Sequence, residues 1–383
     1  MKRYLLVGSV LAVALAGCAD QPLAVRQDVG PGPSFGASGQ GGSGSVYTMT
    51  NAAGGNAVLI YRRAADGTLT PDASVATGGL GSGGGLGNQG GLVLADAGHW
   101  LLAVNAGSNT ISVFQVGGDG SLTSTSMVAS GGTLPISVTI SGDLVYALNA
   151  GGSGNITGFR LDHGGGLTMI PGSTRALSGA GVGPAQIEFD PRGRVLVVTE
   201  KATNQITTYL VGPDGLASAP VVNPSNGATP FGFAFSGTGA LIVSEAFGGA
   251  AGASAASSYE VNADGTLQLL SGSVPDTETA ACWFVVTANG RFAYTSNTGS
   301  GSISGYAVQQ GNLSLLDADG LTGVTGPGTA PIDLALSRNS KYLYALNSGN
   351  QTIAAFAVGA DGSLTAIGTV SGLPASANGL AAR

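Results

Sequence analysis

Ile111-Ser112-Val113-Phe114-Gln115-Val116, followed by the pair Asp119-Gly120 and then Leu122, is one of seven variants of a single pattern in this chain. Alternation about the aromatic is the period of a half-buried strand, and Asp-Gly is a pair that tight hairpins with positive φ favour. A turn-like acidic or Gly-rich step into leucine recurs at Leu69, Leu122, Leu167, Leu216, Leu267, Leu313 and Leu364, at separations of 53, 45, 49, 51, 46 and 51 residues. Seven or eight residues before each leucine stands an aromatic: Tyr61, Phe114, Phe159, Tyr209, Tyr259, Tyr306 and Phe356. Asp-Gly itself stands at 66, 119, 214, 264 and 361.

Two more apolar stretches lie upstream of each aromatic. Lys341-Tyr342-Leu343-Tyr344-Ala345-Leu346 is an example of the nearer, and Ile332-Asp333-Leu334-Ala335-Leu336 of the farther. Turns such as Asp190-Pro191-Arg192-Gly193 and Ala288-Asn289-Gly290 join them. With the strand after each leucine, a repeat holds four antiparallel strands. One such sheet cannot bury both faces alone, so the repeat predicts stacked sheets around an axis, an all-β seven-bladed β-propeller. The first repeat begins near Ser45 at its second strand, and the tail Pro374 to Ala382 has the character of an innermost strand with nothing after it. The tail therefore closes the ring, and the propeller spans 45–383.

The amino terminus is of another kind. Lys2 and Arg3 precede an apolar run from Leu5 to Ala16, too short to span a bilayer, which reads as an export signal over 1–17. Leu15-Ala16-Gly17-Cys18 resembles the lipobox of bacterial lipoproteins. That resemblance implies acylation of Cys18, attachment to the cell envelope, and, in a Gram-negative cell with Ala19 following, sorting to the outer membrane. Residues 18–44 are Gly-, Pro- and Ser-rich and read as a flexible tether. Loss of the signal moves the formal charge from −7 to −9, which argues against nucleic acid as a partner. Only 9% of residues are charged, 43% are hydrophobic and 67 are glycine, the composition of many short strands and turns. With Cys18 acylated, Cys282 has no cysteine left to pair with, so packing must supply the stability. A monomer is expected.

Val104-Asn105-Ala106-Gly107-Ser108-Asn109-Thr110-Ile111 and Leu346-Asn347-Ser348-Gly349-Asn350-Gln351-Thr352-Ile353 resemble repeats of the seven-bladed lactonase-like propellers, a family with 6-phosphogluconolactonases and carboxymuconate cyclases. The resemblance extends over 45–383 and bears on fold more than on activity.

Antiparallel pairing places the end of each second strand beside the start of each innermost strand, around one mouth of the channel. Aligned repeats put Asn51, Asn105, Asn149, Glu200, Glu245, Asn297 and Asn347 at the second-strand ends. The asparagine amides suit local backbone groups in turns, or a ring of ligand contacts. Glu200 and Glu245 are two solvated loop carboxylates, beside the insertion from Ala246 to Ala256, or else a catalytic pair with one acid held protonated. By resemblance, Glu200 matches a glutamate of the lactonase-like enzymes. Their preceding arginine and histidine are replaced here by Pro184-Ala185-Gln186, leaving Gln186 as a candidate ligand contact. His99 and His163 fall on the opposite face. Cys282 and Trp283 begin the inner strand of blade six, where the indole either packs in the core or stacks a flat ligand. Asp333 adds a third acid, so the set leaves room for a divalent cation, although no calcium-type loop is present and no cofactor is evident.

These features set an envelope-held module that binds a small molecule or envelope protein against a divergent lactone hydrolase using Glu200, alone or with Glu245 as its pair.

Overall fold

A computed structural model describes residues 44–95 and 98–383. The signal segment, Cys18 and the tether as far as residue 43 lie outside the described residues. Seven antiparallel sheets of four main strands form the blades of a β-propeller. The innermost strands of blades two to seven are Leu92–Ala95, Pro135–Ser141, Pro184–Phe189, Pro230–Phe235, Ala281–Val286 and Pro331–Leu336. The second strands of the same blades are Trp100–Asn105, Leu144–Asn149, Val195–Glu200, Leu241–Glu245, Phe292–Asn297 and Tyr342–Asn347. Blade one opens on its second strand, Gly44–Met49, and takes its innermost strand, Asn378–Ala382, from the tail. The pairing Val46↔Ala382 thus closes the ring, and Arg63 adds a hydrogen bond from Nη2 to the Arg383 carbonyl at 3.1 Å.

Every repeat aromatic lies on a third strand and is buried, from 0% exposure at Tyr61, Phe114, Phe159, Tyr209 and Tyr306 to 3% at Tyr259. Burial of such a side chain is worth roughly 1.5–3 kcal/mol, and their positions fill the space between adjacent sheets. The hairpins between third and outer strands do a second job. The hydroxyls of Tyr47, Tyr146, Tyr294 and Tyr344, on second strands, donate to the carbonyls of Gly120, Gly215, Gly362 and Gly67 in the hairpin of the following blade, at 2.8–2.9 Å. The last of these links blade seven to blade one. Each glycine has φ between +83° and +91°, the left-handed region glycine enters at least cost, which turns its carbonyl outward for the clasp.

The outer edges depart from the simple repeat. In blade four the outer strand is Val221–Pro224 rather than starting at Leu216, because Pro213 and Pro220 cannot donate to a ladder and only an isolated bridge, Val211↔Ala217, forms there. Blades three and six each carry a further two-residue strand, Arg175–Ala176 and Gly323–Val324, on the third strand. Among the described residues no helix is long and apolar enough to cross a membrane.

Candidate functional site

Call the face where inner strands begin and second strands end the upper face, and the other the lower. The upper face collects the residues the repeats align. Asn51, Asn105, Asn149, Glu200, Glu245, Asn297 and Asn347 are all buried, none more than 1% exposed. Their side chains tie the ends of the second strands to their own third strands or to the segments that lead from one blade to the next. Asn105 Nδ2 donates to the hydroxyls of Thr110 and Ser112, and Asn297 Nδ2 to those of Ser302 and Ser304. Asn347 Nδ2 reaches Thr352, Asn149 Nδ2 reaches the Ser130 carbonyl, and Asn51 Nδ2 the Gly84 carbonyl.

Glu200 and Glu245 occupy the same place in blades four and five and are held in the same manner. Glu200 accepts from the Ser178 amide at 3.0 Å and from the Ser178 hydroxyl. Glu245 accepts from the Gly227 amide at 2.8 Å and from the hydroxyls of Ser257 and Ser273 at 2.5 and 2.7 Å. Burial raises the Glu245 pKa, and these three donors oppose the shift. The two glutamates share no hydrogen-bond partner. Nor does Asp333 join them: among the described residues no group of three or more His, Cys, Asp or Glu side chains could hold a metal ion. Neither glutamate is a solvated loop carboxylate.

What covers the upper face is the segment between blades one and two. Lys201 Nζ donates to the Gly87 carbonyl at 2.5 Å and Trp283 Nε1 to the Asn88 carbonyl at 2.6 Å. Asn88 Nδ2 donates to the Ile136 carbonyl, Asn378 Nδ2 donates to Asn88 Oδ1 at 3.0 Å, and the Val138 amide donates to the Gly90 carbonyl at 2.8 Å. Gln89 pairs with Phe284 like a strand, donating to its carbonyl at 2.7 Å and accepting from its amide at 2.9 Å. These partners belong to blades one, three, four and six, on different sides of the ring, so residues 87–90 cross the axis. Gly232 makes room for the crossing, since a Cβ there would collide with Gln89 Oε1 and the Cys282 carbonyl. Trp283 is 1% exposed, tilted against Phe231 at 4.8 Å, and Cys282 is fully buried. The indole thus supports the crossing segment.

Below the crossing lies a cavity of about 580 Å³. Its wall begins at Gln89 and Gly90, follows the innermost strands of blades one to four and seven, and ends at Gly142 and Pro191, both exposed on the lower face. Two of the candidate residues, Gln186 and Asp333, line it. Gln186 is committed to structure: its amide bridges to blade five, donating to the Phe233 carbonyl at 3.0 Å and accepting from the Phe233 amide at 2.8 Å. Asp333 is 4% exposed and accepts from the Leu334 amide at 2.8 Å. Burial raises its pKa well above the usual carboxylate range. A second buried acid in the wall is Glu188, whose Oε2 accepts from Gln186 Nε2 at 2.9 Å. Burial pushes its pKa up to about 8, with the Gln186 bond opposing. Glu188 was legible in principle: it interrupts an apolar inner strand where the other repeats carry Thr139, Ala234, Val285 and Ala335. His99 and His163 are exposed on the lower face and do not line the cavity.

Residues 45–178 match the family model described as lactonase, seven-bladed β-propeller. The fold is that of a seven-bladed β-propeller, and the matched part takes in its first three blades. Periplasmic gluconolactonase of Pseudomonas aeruginosa is similar in structure, with a TM-score of 0.69 and 17% identity, covering 88% of this chain and 98% of that one. A Bacteroides fragilis protein described as a candidate 6-phosphogluconolactonase gives 0.65 and 17%, covering 90% and 99%. A hypothetical selenium-binding protein of Sulfolobus tokodaii gives 0.65 and 11%, covering 89% and 94%. At these identities the likeness is one of fold, and neighbours of differing description share it. No curated protein matches the sequence.

Proposed function

We propose that this lactonase-like propeller is a small-molecule-binding module held at the cell envelope, with its ligand in the axial cavity rather than at the glutamates of the upper face. One observation carries the reading. Glu200 and Glu245 are buried and bonded to serine and backbone donors, whereas the open space lies on the far side of residues 87–90. A general base must reach the water it activates, and a carboxylate enclosed by structural donors does not. Pro184-Ala185-Gln186 supplies neither an anion-binding cation nor an imidazole at the start of the blade-four inner strand. Lactone hydrolysis is the second reading, favoured by the family match over 45–178 and by the gluconolactonase neighbour.

The test is hydrolysis of neutral and anionic lactones by the purified chain, with and without divalent metal, beside the Glu200→Gln variant. The binding reading expects no saturable turnover, with ligand perturbation of cavity amides such as Val138 and Leu334. Saturable turnover lost in the variant would overturn it. For the anchor, Leu15-Ala16-Gly17-Cys18 supports acylation of Cys18, which labelled palmitate should mark in the native chain and not in Cys18→Ser.

A further inference from the structure

We infer that the axial cavity binds a small aliphatic amine, admitted from the lower face and held by Glu188 with Asp333 on the facing wall. The inference rests on the axial cavity being the ligand site. Geometry supplies its two parts, a single way in and an acidic interior.

Access is one-sided. Residues 87–90 cross the axis above the cavity, hydrogen-bonded to four blades, while the wall below reaches the exposed turns at Gly142 and Pro191. A ligand must therefore pass the lower rim, the end remote from Glu200 and Glu245.

Charge then selects among ligands. Among the described residues the cavity wall contains the carboxyl groups of Glu188, Asp333 and, at the rim, Asp190, and no Lys, Arg or His. Asp190 is engaged with its own turn, accepting from the amides of Arg194 and Val195 at 2.6 and 2.7 Å. The strands packed on the Glu188 strand bring no compensating charge. Those are Pro135–Ser141 and Pro230–Phe235, without ionisable side chains, Leu144–Asn149, whose one titratable group is the Tyr146 phenol that donates to the Gly215 carbonyl, and Val195–Glu200, whose one acid lies at the upper end opposite Pro184. Arg192 and Arg194 are exposed in the lower turn and do not line the cavity. An anion entering this space meets acids and no cation. A cation meets the partner that Glu188 lacks, and blades four and seven stand across the channel from each other, so a diamine can address both walls.

Binding also moves a proton. The neutral Glu188 carboxyl plus an alkylammonium becomes a carboxylate–alkylammonium pair and one proton leaves to solvent, while the other ammonium of a diamine donates to the carbonyl oxygen of the Asp333 carboxyl, which keeps its proton. Because the Glu188 pKa is raised to about 8, affinity should rise about tenfold per pH unit up to that point and level off above it. Aliphatic ammonium groups stay charged through this range.

Calorimetric titration of the full chain with putrescine, butanediol and succinate, from about pH 6 to about pH 9, tests this directly. Putrescine alone should bind, tenfold more tightly per pH unit up to about pH 8, with heats that vary with the buffer as one released proton requires. Glu188→Gln should weaken it at least tenfold and flatten the profile. The wild-type profile alone tests the proton release, without recourse to the variant. Failure of putrescine to bind, an equal affinity for butanediol, or a pH-independent affinity would each overturn the amine. Butanediol or succinate perturbing the Val138 and Leu334 amides would overturn the amine while leaving the cavity as the ligand site.

Discussion

Tyrosine hydroxyls separate two kinds of buried polar group in this molecule. Tyr344 Oη donates to the Gly67 carbonyl across the joint between blades seven and one. Tyr61 Oη is equally buried and has no hydrogen-bond partner among the described residues. Tyr344→Phe should therefore cost about 1 kcal/mol, because it orphans a buried carbonyl, whereas Tyr61→Phe should be neutral or stabilising. Thermal unfolding of the two variants side by side decides this. Glu188 gives the residue-scale prediction in pH. Its pKa is raised from 4.5 to about 8, so across that window the native state holds a proton that the unfolded chain has released. Stability contributed by the protonated form is thus present below about pH 4.5 and lost as pH rises through about 8. Glu188→Gln should remove that part of the slope and raise stability at the alkaline end by roughly 2 kcal/mol, a figure reduced for the carboxyl's partial exposure to the cavity. Denaturation midpoints across the pH range, wild type against variant, measure it.

At the scale of elements, residues 87–90 are what distinguish the two ends of the channel. Their hold depends on Gln89, whose side chain completes two strand-like bonds with Phe284, and on the missing side chain of Gly232. Gly232→Ala should cost about 1–3 kcal/mol by forcing Gln89 and the Cys282 carbonyl apart. Gln89→Ala should speed hydrogen exchange at the Phe284 amide while the amides of the outer strands keep their protection. Equal protection at Phe284 in both proteins would show that the crossing does not depend on this side chain. The same scale explains Glu200 and Glu245. A second strand must be fastened where it leaves the sheet, and a carboxylate ringed by serines does what an asparagine amide does in the other blades.

The whole molecule stands on closure. Without Asn378–Ala382, blade one keeps three strands, its second strand becomes an exposed edge, and the packing of its innermost strand on blade seven is lost. A chain ending at Leu373 should lose cooperative unfolding and aggregate, measured by calorimetry and light scattering. A sharp transition near that of the intact chain would refute closure as the source of cooperativity. The ring also creates the cavity, which belongs to no blade alone.

Blade number, strand order, buried aromatics and closure by the tail were all legible in the sequence, because strand period and hairpin chemistry are local and repeat seven times. Gln186 and Asp333 were placed near the channel by the same register. What the sequence could not give was which end of the channel is open. That depends on Lys201, Trp283, Phe284, Asn378 and Asn88, far apart in the chain, meeting at one point on the axis. It could not give the burial of Glu200 and Glu245 either, nor the reason Glu188 matters. Charge environment is set by what surrounds a carboxyl in three dimensions, and only the closed ring brings the walls of the cavity together.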